Sequence, residues 1–263
     1  MRLHGEQSAI EPVAQQRVLN WEGCLNARDL GGYPAMNGRK TRWGAVVRSD
    51  DPSPLTEKGR QAVIDQGVHA IIDLRFPHEV AEYPNPFARR GNSLKQSDRH
   101  EIEYANISFV DPATAASQPE FTTLANNYKD MLDRCSAQVG RVMTTIARAP
   151  LGGVLIHCMG GKDRTGIISA LLLELAGVPR EIIADDYALT EECLRPREQE
   201  WLEHGPGTRA EREVLLARSM PRTEVMIEVL AHLDHRYGGV EPYLRGAGVT
   251  DEDISRLRGR LLE

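Results

Sequence analysis

One stretch of this chain narrows its possible folds more than any other. It runs Val154-Leu155-Ile156-His157-Cys158-Met159-Gly160-Gly161-Lys162-Asp163-Arg164-Thr165-Gly166 and continues into the apolar segment Ile167 to Ala176. A short apolar run before a glycine-containing turn reads as a buried strand, and the longer apolar run after it reads as a helix. A strand that turns directly into a helix N-terminus aims several backbone N–H groups, and the positive end of the helix dipole, at one point. Such a point suits a phosphate.

Cys158 stands at the mouth of this turn, where the same N–H groups favour its thiolate. Helix N-termini and nearby cations lower a cysteine pKa from about 8.5 to roughly 3.5–7.5. Arg164, six residues on, can return across the loop and offer two parallel N–H donors to phosphoryl oxygens, a fit that lysine cannot reproduce. The Thr165 hydroxyl is placed to donate to the sulfur as it leaves. The backbone of Met159, Gly160, Gly161, Lys162, Asp163 and Arg164 supplies the remaining donors.

The rest of the chain supports an α/β reading. Gly44–Arg48 and Val68–Leu74 read as strands, the second continuous and buried, with Asp73 and Arg75 at its C-terminal edge. A helix capped by Thr56 runs to Gln66, and Ile102–Phe109 is a further strand. The stretches 77–98 and 111–119 read as loops, and residues 77–98 and 109–119 are expected to wall the phosphate point. Residues 120–149 have helical spacing with a break near Ser136. Helices are then expected over Thr165–Ala176, Pro179–Leu189, Leu194–Glu203, Pro221–Tyr237, Glu241–Ala247 and Thr250–Leu262, with 204–211 the most loop-like part of that half. Strands alternating with helices early and helices alone later give a sheet buttressed by a helical C-terminal portion. Residues 1–20 read as a polar lead-in and 21–263 as one domain.

Composition excludes several classes. A formal charge of −6 provides no basic footprint for nucleic acid. The four cysteines form no Cys-x-x-C pair and no Cys/His cluster, so neither a disulfide framework nor a metal site is indicated. No run approaches the roughly 20 apolar residues of a membrane helix, and the first 17 residues lack the apolar stretch of about 7–15 that a signal peptide needs. A cytoplasmic location is expected, although export by a route without such a signal leaves no trace in a sequence.

His157-Cys158-x-x-Gly161-Lys162-Asp163-Arg164-Thr165-Gly166 resembles the phosphate-binding loop of the cysteine-dependent phosphatases with a Cys-x5-Arg motif. Together with Asn26 to Tyr33, Asp73-Leu74-Arg75 and Glu79, it is similar to the bacterial tyrosine-phosphatase family, whose members include dual-specificity and phosphoinositide-active enzymes. The resemblance covers most of the chain. It implies a central, mostly parallel sheet flanked by helices, a phosphocysteine intermediate on Cys158, Arg164 as phosphate ligand, and no cofactor. A phosphorylated protein, lipid or small molecule is the implied substrate. A binding module without turnover, or another thiolate enzyme such as a sulfur transferase, remains the alternative.

The proton donor is left open between Asp163, inside the loop, and Asp73, which can instead be a structural partner of Arg75 or Arg48. Lys162 resembles the loop lysine of lipid-directed phosphatases and offers a second cation for a multiply phosphorylated substrate. His157 is expected to order the loop by hydrogen bonds. Arg28 and Asp29 read as a pair that fixes the Gly31-Gly32 turn, the alternative being that they organise the pocket floor. Asp185-Asp186 lies on a helix with no carboxylate cluster around it, so no metal is expected there.

Overall fold

The computed structural model describes residues 17–88, 102–110, 114, 117 and 123–263. Most of the lead-in, residues 89–98 and most of 111–119 therefore lie outside the described residues. Five strands form one sheet: β1 (Arg28–Asp29), β2 (Val46–Ser49), β3 (Val68–Asp73), β4 (Glu103–Asn106) and β5 (Gly153–His157), in the order β1-β2-β5-β3-β4. Only β1 pairs antiparallel; β2, β5, β3 and β4 run parallel. The mostly parallel sheet of the sequence reading is thus present.

Register matters more than strand count. Ser49, His157 and Asp73 sit side by side, so the three central strands end together and their outgoing loops meet at one edge. That edge is where open parallel sheets place ligands.

Side chains alternate across the sheet. Val47, Ile71 and Leu155 face a small core under helix α1 (Glu57–Asp65), whose Val63 is buried there. Val46, Ala70, Ile72, Val154 and Ile156 face the main core, made by the later helices. At its centre lies α5 (Asp163–Leu175), apolar nearly all round because it is enclosed on every side. Around it pack α3 (Leu124–Arg134), α4 (Ser136–Arg148), α6 (Arg180–His204), α8 (Thr223–Tyr237), α9 (Val240–Gly246) and α10 (Asp251–Leu261). Thr56 and Thr250 cap their helices as expected, accepting from Gly59 N and Asp253 N.

Three expectations are corrected. The 77–98 stretch is not all loop: Pro77–Glu82 forms a helix, α2, because Pro77 suits its first turn and Glu79 accepts the N–H of Phe76. The two helices expected over 179–203 are one helix of 25 residues with Pro196 inside it. Thr190 to Cys193 contain no breaker, and the proline forfeits a single donor. Finally, Arg209–Arg218 is a helix, α7, opened by a reciprocal capping box between Thr208 and Glu211.

Candidate active site

Cys158 follows β5 directly and is 1% exposed, at the floor of the turn into α5. What shapes the turn is the fate of its carbonyls. His157 O accepts from Leu74 N at 2.9 Å and Met159 O from Asp51 N at 3.0 Å. Gly160 O accepts from Asn26 Nδ2 at 2.9 Å and Gly161 O from an Arg48 guanidinium nitrogen at 2.7 Å. With successive carbonyls bound outward, the N–H groups between them face inward. Among the described residues, those of 159–162 donate to no protein acceptor. The first N–H groups of α5 are likewise free of intrahelical partners.

Gly161 makes this path possible. Its φ is +64°, and a Cβ there would come within 2.5 Å of Ser49 O. Gly160 has no such need, since its nearest neighbour would be a Leu194 methyl at 3.8 Å.

Arg164 is positioned by Glu79. The two Glu79 oxygens take Nη1 at 2.6 Å and Nη2 at 2.9 Å, and Phe76 lies under the guanidinium at 5.0 Å. Of the five N–H donors of an arginine, this pairing and a 3.4 Å contact to Leu74 O use three. Nε–H and one N–H of Nη2 remain, and they lie on the same edge, a fork suited to two phosphoryl oxygens. Burial works against the charge of Arg164, but the Glu79 bonds and then the charge at Cys158 raise its pKa above the ordinary value. Burial also raises that of Glu79, and Arg164 outweighs this to hold the carboxylate below its usual range. The helix at 77–82 therefore supplies the counterion of Arg164.

The two candidate acids occupy different surroundings. Asp73 is fully buried, with Arg75 on both oxygens at 2.7–3.1 Å, Tyr104 Oη at 2.8 Å and His157 Nε2 at 3.5 Å. Desolvation raises its pKa, but His157 and Arg75 together hold it below the ordinary carboxylate range. It pairs with Arg75, not with Arg48. Asp163, at the first position of α5, is partly exposed; its Oδ1 accepts from Tyr128, whose hydroxyl lies 2.9 Å from that of Tyr187.

His157 is buried and orders the loop. Asn85 uses its Oδ1 on Phe87 N, so its Nδ2 donates to His157 Nε2 at 3.0 Å, and Nδ1 faces Cys158 O at 3.4 Å. Burial pushes the imidazole pKa down, against the pull of Asp73. Lys162 Nζ is bound to Ser219 O at 3.0 Å, just beyond α7. The expected donation from Thr165 to sulfur is not formed: among the described residues its buried hydroxyl has no hydrogen-bond partner.

Behind the loop the structure adds what the sequence did not suggest. Arg28 pairs not with Asp29 but with Asp186, Nε to Oδ1 at 3.0 Å, and Arg48 meets the other Asp186 oxygen at 2.6 Å. Tyr33 and Thr190 complete this buried group. Asp29 alone fixes the turn, accepting from Gly31 N and Gly44 N at 2.8 Å. The signal for Asp186 was there to be read, since it shares a helix face with Ile183, Tyr187 and Thr190, all buried. A charge on an apolar face demands a partner. Among the described residues no group of three or more His, Cys, Asp or Glu could hold a metal, and no helix is long and apolar enough to cross a membrane.

The chain is similar in sequence to proteins named as phosphatases. It is 35% identical over 237 residues to a tyrosine-protein phosphatase of Nostoc commune, covering 87% of this chain and 78% of that one. It is 28% identical over 274 residues to the triple specificity protein phosphatase PtpB of Mycobacterium tuberculosis, covering 91% and 97%. Residues 19–263 match the family model described as the tyrosine phosphatase family. The protein is therefore a phosphoric monoester hydrolase, and it belongs to the tyrosine phosphatase family.

Proposed function

We propose that residues 21–263 form one catalytic unit that hydrolyses phosphotyrosine in proteins through a phosphocysteine on Cys158. The bonding of carbonyls 157, 159, 160 and 161 to the scaffold supports this reading, because it leaves the N–H groups of 159–162 without protein acceptors among the described residues, in the turn that starts at Cys158. The Cys158 thiolate attacks phosphorus, an S–P bond forms, and the P–O ester bond breaks with its electron pair on the leaving oxygen. Asp163 protonates that oxygen. In the second step the Asp163 carboxylate takes a proton from water, the water oxygen bonds phosphorus, and the S–P bond breaks to return the thiolate. Arg164 and the loop amides hold the equatorial oxygens throughout.

Asp163 is preferred to Asp73 because Asp73 is fully buried with both oxygens engaged. A second reading, a substrate bearing a further phosphate such as a phosphoinositide, rests on Lys162. Its ammonium donates to Ser219 O at 3.0 Å, with the Glu198 carboxylate within electrostatic reach, and places a second cation beside the loop. The triple specificity in the name of the mycobacterial relative is in keeping with more than one substrate class.

Phosphate release from phosphotyrosine, phosphoserine and phosphothreonine peptides, phosphoinositides and sugar phosphates, with chelator present, tests both readings. Turnover that survives chelation and vanishes in Cys158→Ser is expected, fastest on phosphotyrosine. Binding of phosphopeptide without any release would replace the catalytic reading with a recognition module.

A further inference from the structure

Two guanidinium groups, Arg28 and Arg48, share the single carboxylate of Asp186, and all three side chains are 0–1% exposed. Their other partners are neutral. Arg28 meets Asn26, Thr190 Oγ1 and the Asp186 carbonyl, while Arg48 meets the Gly161 carbonyl. Arginine remains protonated in proteins. The group therefore holds two positive charges against one negative, and among the described residues no second carboxylate touches it.

A buried, uncompensated charge is costly unless something nearby balances it. The candidate for that balance lies across the turn. Arg48 is bound to the carbonyl of Gly161, inside the loop that starts at Cys158, and one of its terminal nitrogens would lie 3.6 Å from a Cβ on Gly166. It sits on β2 in register with Ile156 of β5, two residues before the cysteine. Burial, then the repulsion from Arg28, push the Arg48 pKa down, and Asp186 opposes them.

We infer that the Arg28–Asp186–Arg48 group is a fixed electrostatic source, carrying one net positive charge behind the loop, that stabilises the Cys158 thiolate and the phosphoryl group bound above it. Arg28 and Arg48 are positioning residues by this account, since neither touches substrate. Arg164 holds the transferred group from the open side, and the buried group balances it from behind. In a site of low dielectric, a permanent charge at that place acts without having to reorganise.

This inference rests on Cys158 being the nucleophile, and its test needs no turnover. The rate of Cys158 alkylation by iodoacetamide at neutral pH, located by mass spectrometry, is measured together with its protection by inorganic phosphate. Arg48→Gln, which keeps a donor for Gly161 O but loses the charge, should slow alkylation about tenfold and weaken protection similarly. Asp186→Asn, which takes the net charge from one to two, should act in the opposite direction and speed alkylation. Arg48→Lys should stay near wild type.

A purely structural role would slow alkylation in every variant, and that result overturns the inference. So does an Arg48→Gln protein that is folded and alkylated at the wild-type rate. Should Arg48→Gln fail to fold, the opposite sign required of Asp186→Asn and the rescue by Arg48→Lys decide the question. Failure to alkylate Cys158 in the wild-type protein would instead count against the proposed nucleophile, a distinct outcome.

Discussion

Two arginine–carboxylate systems grip the 158–164 loop from opposite sides. In front, Arg164 and Glu79 make a bidentate pair, one charge against one, with side chains 13% and 16% exposed. Behind, Arg28, Asp186 and Arg48 are sealed from solvent, two charges against one. The front pair keeps a spare fork of donors and reaches solvent. The rear group has its donors committed to the scaffold, apart from Arg48 Nε–H, which is buried with no hydrogen-bond partner among the described residues. In the proposed mechanism the same side-chain chemistry serves contact with substrate in one place and support in the other, and burial decides which.

The contrast can be broken most forcefully from behind. Asp186→Ala strands two buried guanidiniums, and removing one partner of a buried ionic group costs about 3–5 kcal/mol. Urea unfolding should register that loss, with Asp186→Asn less severe because it keeps an acceptor oxygen. A cost below about 1 kcal/mol would mean that the rear group supports nothing.

In front, the loss should appear in rate instead. Arg164→Lys keeps the charge but removes the planar fork, and loss of one transition-state donor reduces kcat by about a hundred- to a thousandfold, or roughly 3–4 kcal/mol. Its unfolding midpoint should stay close to wild type. A variant that unfolds easily yet retains kcat would reverse the two roles.

Acid sharpens the same distinction. Desolvation raises the Asp186 pKa, but Arg28 and Arg48 outweigh it and hold the carboxyl down to about 2. A depressed carboxylate contributes stability that is fully present above its unfolded value, about 4, and is lost as pH falls through the folded value. That contribution is about 2 kcal/mol. Unfolding free energy followed from pH 5 downward should show this loss in wild type and lack it in Asp186→Asn. Identical pH dependence in both proteins would contradict the assignment.

The smallest effect concerns adjacent glycines. Gly160→Ala meets only the Leu194 methyl at 3.8 Å and should change stability and rate little. Gly161→Ala would need φ of +64° and a Cβ 2.5 Å from Ser49 O, so it should distort the loop and lower activity. Equal behaviour of the two alanine variants, measured by kcat/KM and melting temperature, would mean that the loop path differs from the one described.

What could be read in the sequence follows from range. The turn from Ile156 to Gly166 is local, so strand, loop, helix start, Cys158 and Arg164 were all legible in consecutive residues. Caps at Thr56 and Thr250 were legible for the same reason. The pairing of Arg28 with Asp186 joins residues 158 apart and leaves no local pattern. Arg28 looked instead like a partner for its neighbour Asp29. Glu79 was visible as a motif residue, but its grip on Arg164 depends on how α2 docks against the loop. Tyr128 lies in the 120–149 stretch, legible only as helical, and the fold alone turns its hydroxyl to Asp163. A break was expected at 190–193, where no helix breaker stands, and the loop-like 204–211 stretch hid the start of α7; a long helix packed along its first half also absorbs the donor lost at Pro196.

The most direct measurement is to quench the enzyme in acid during turnover of a phosphotyrosine peptide and map the phosphoryl group by mass spectrometry. Phosphate on the thiol of Cys158 in the wild-type enzyme at early quench times, and none in Cys158→Ser, is the expected result. Turnover at a normal rate with no phosphorylated Cys158 at any quench time would contradict the account at its centre.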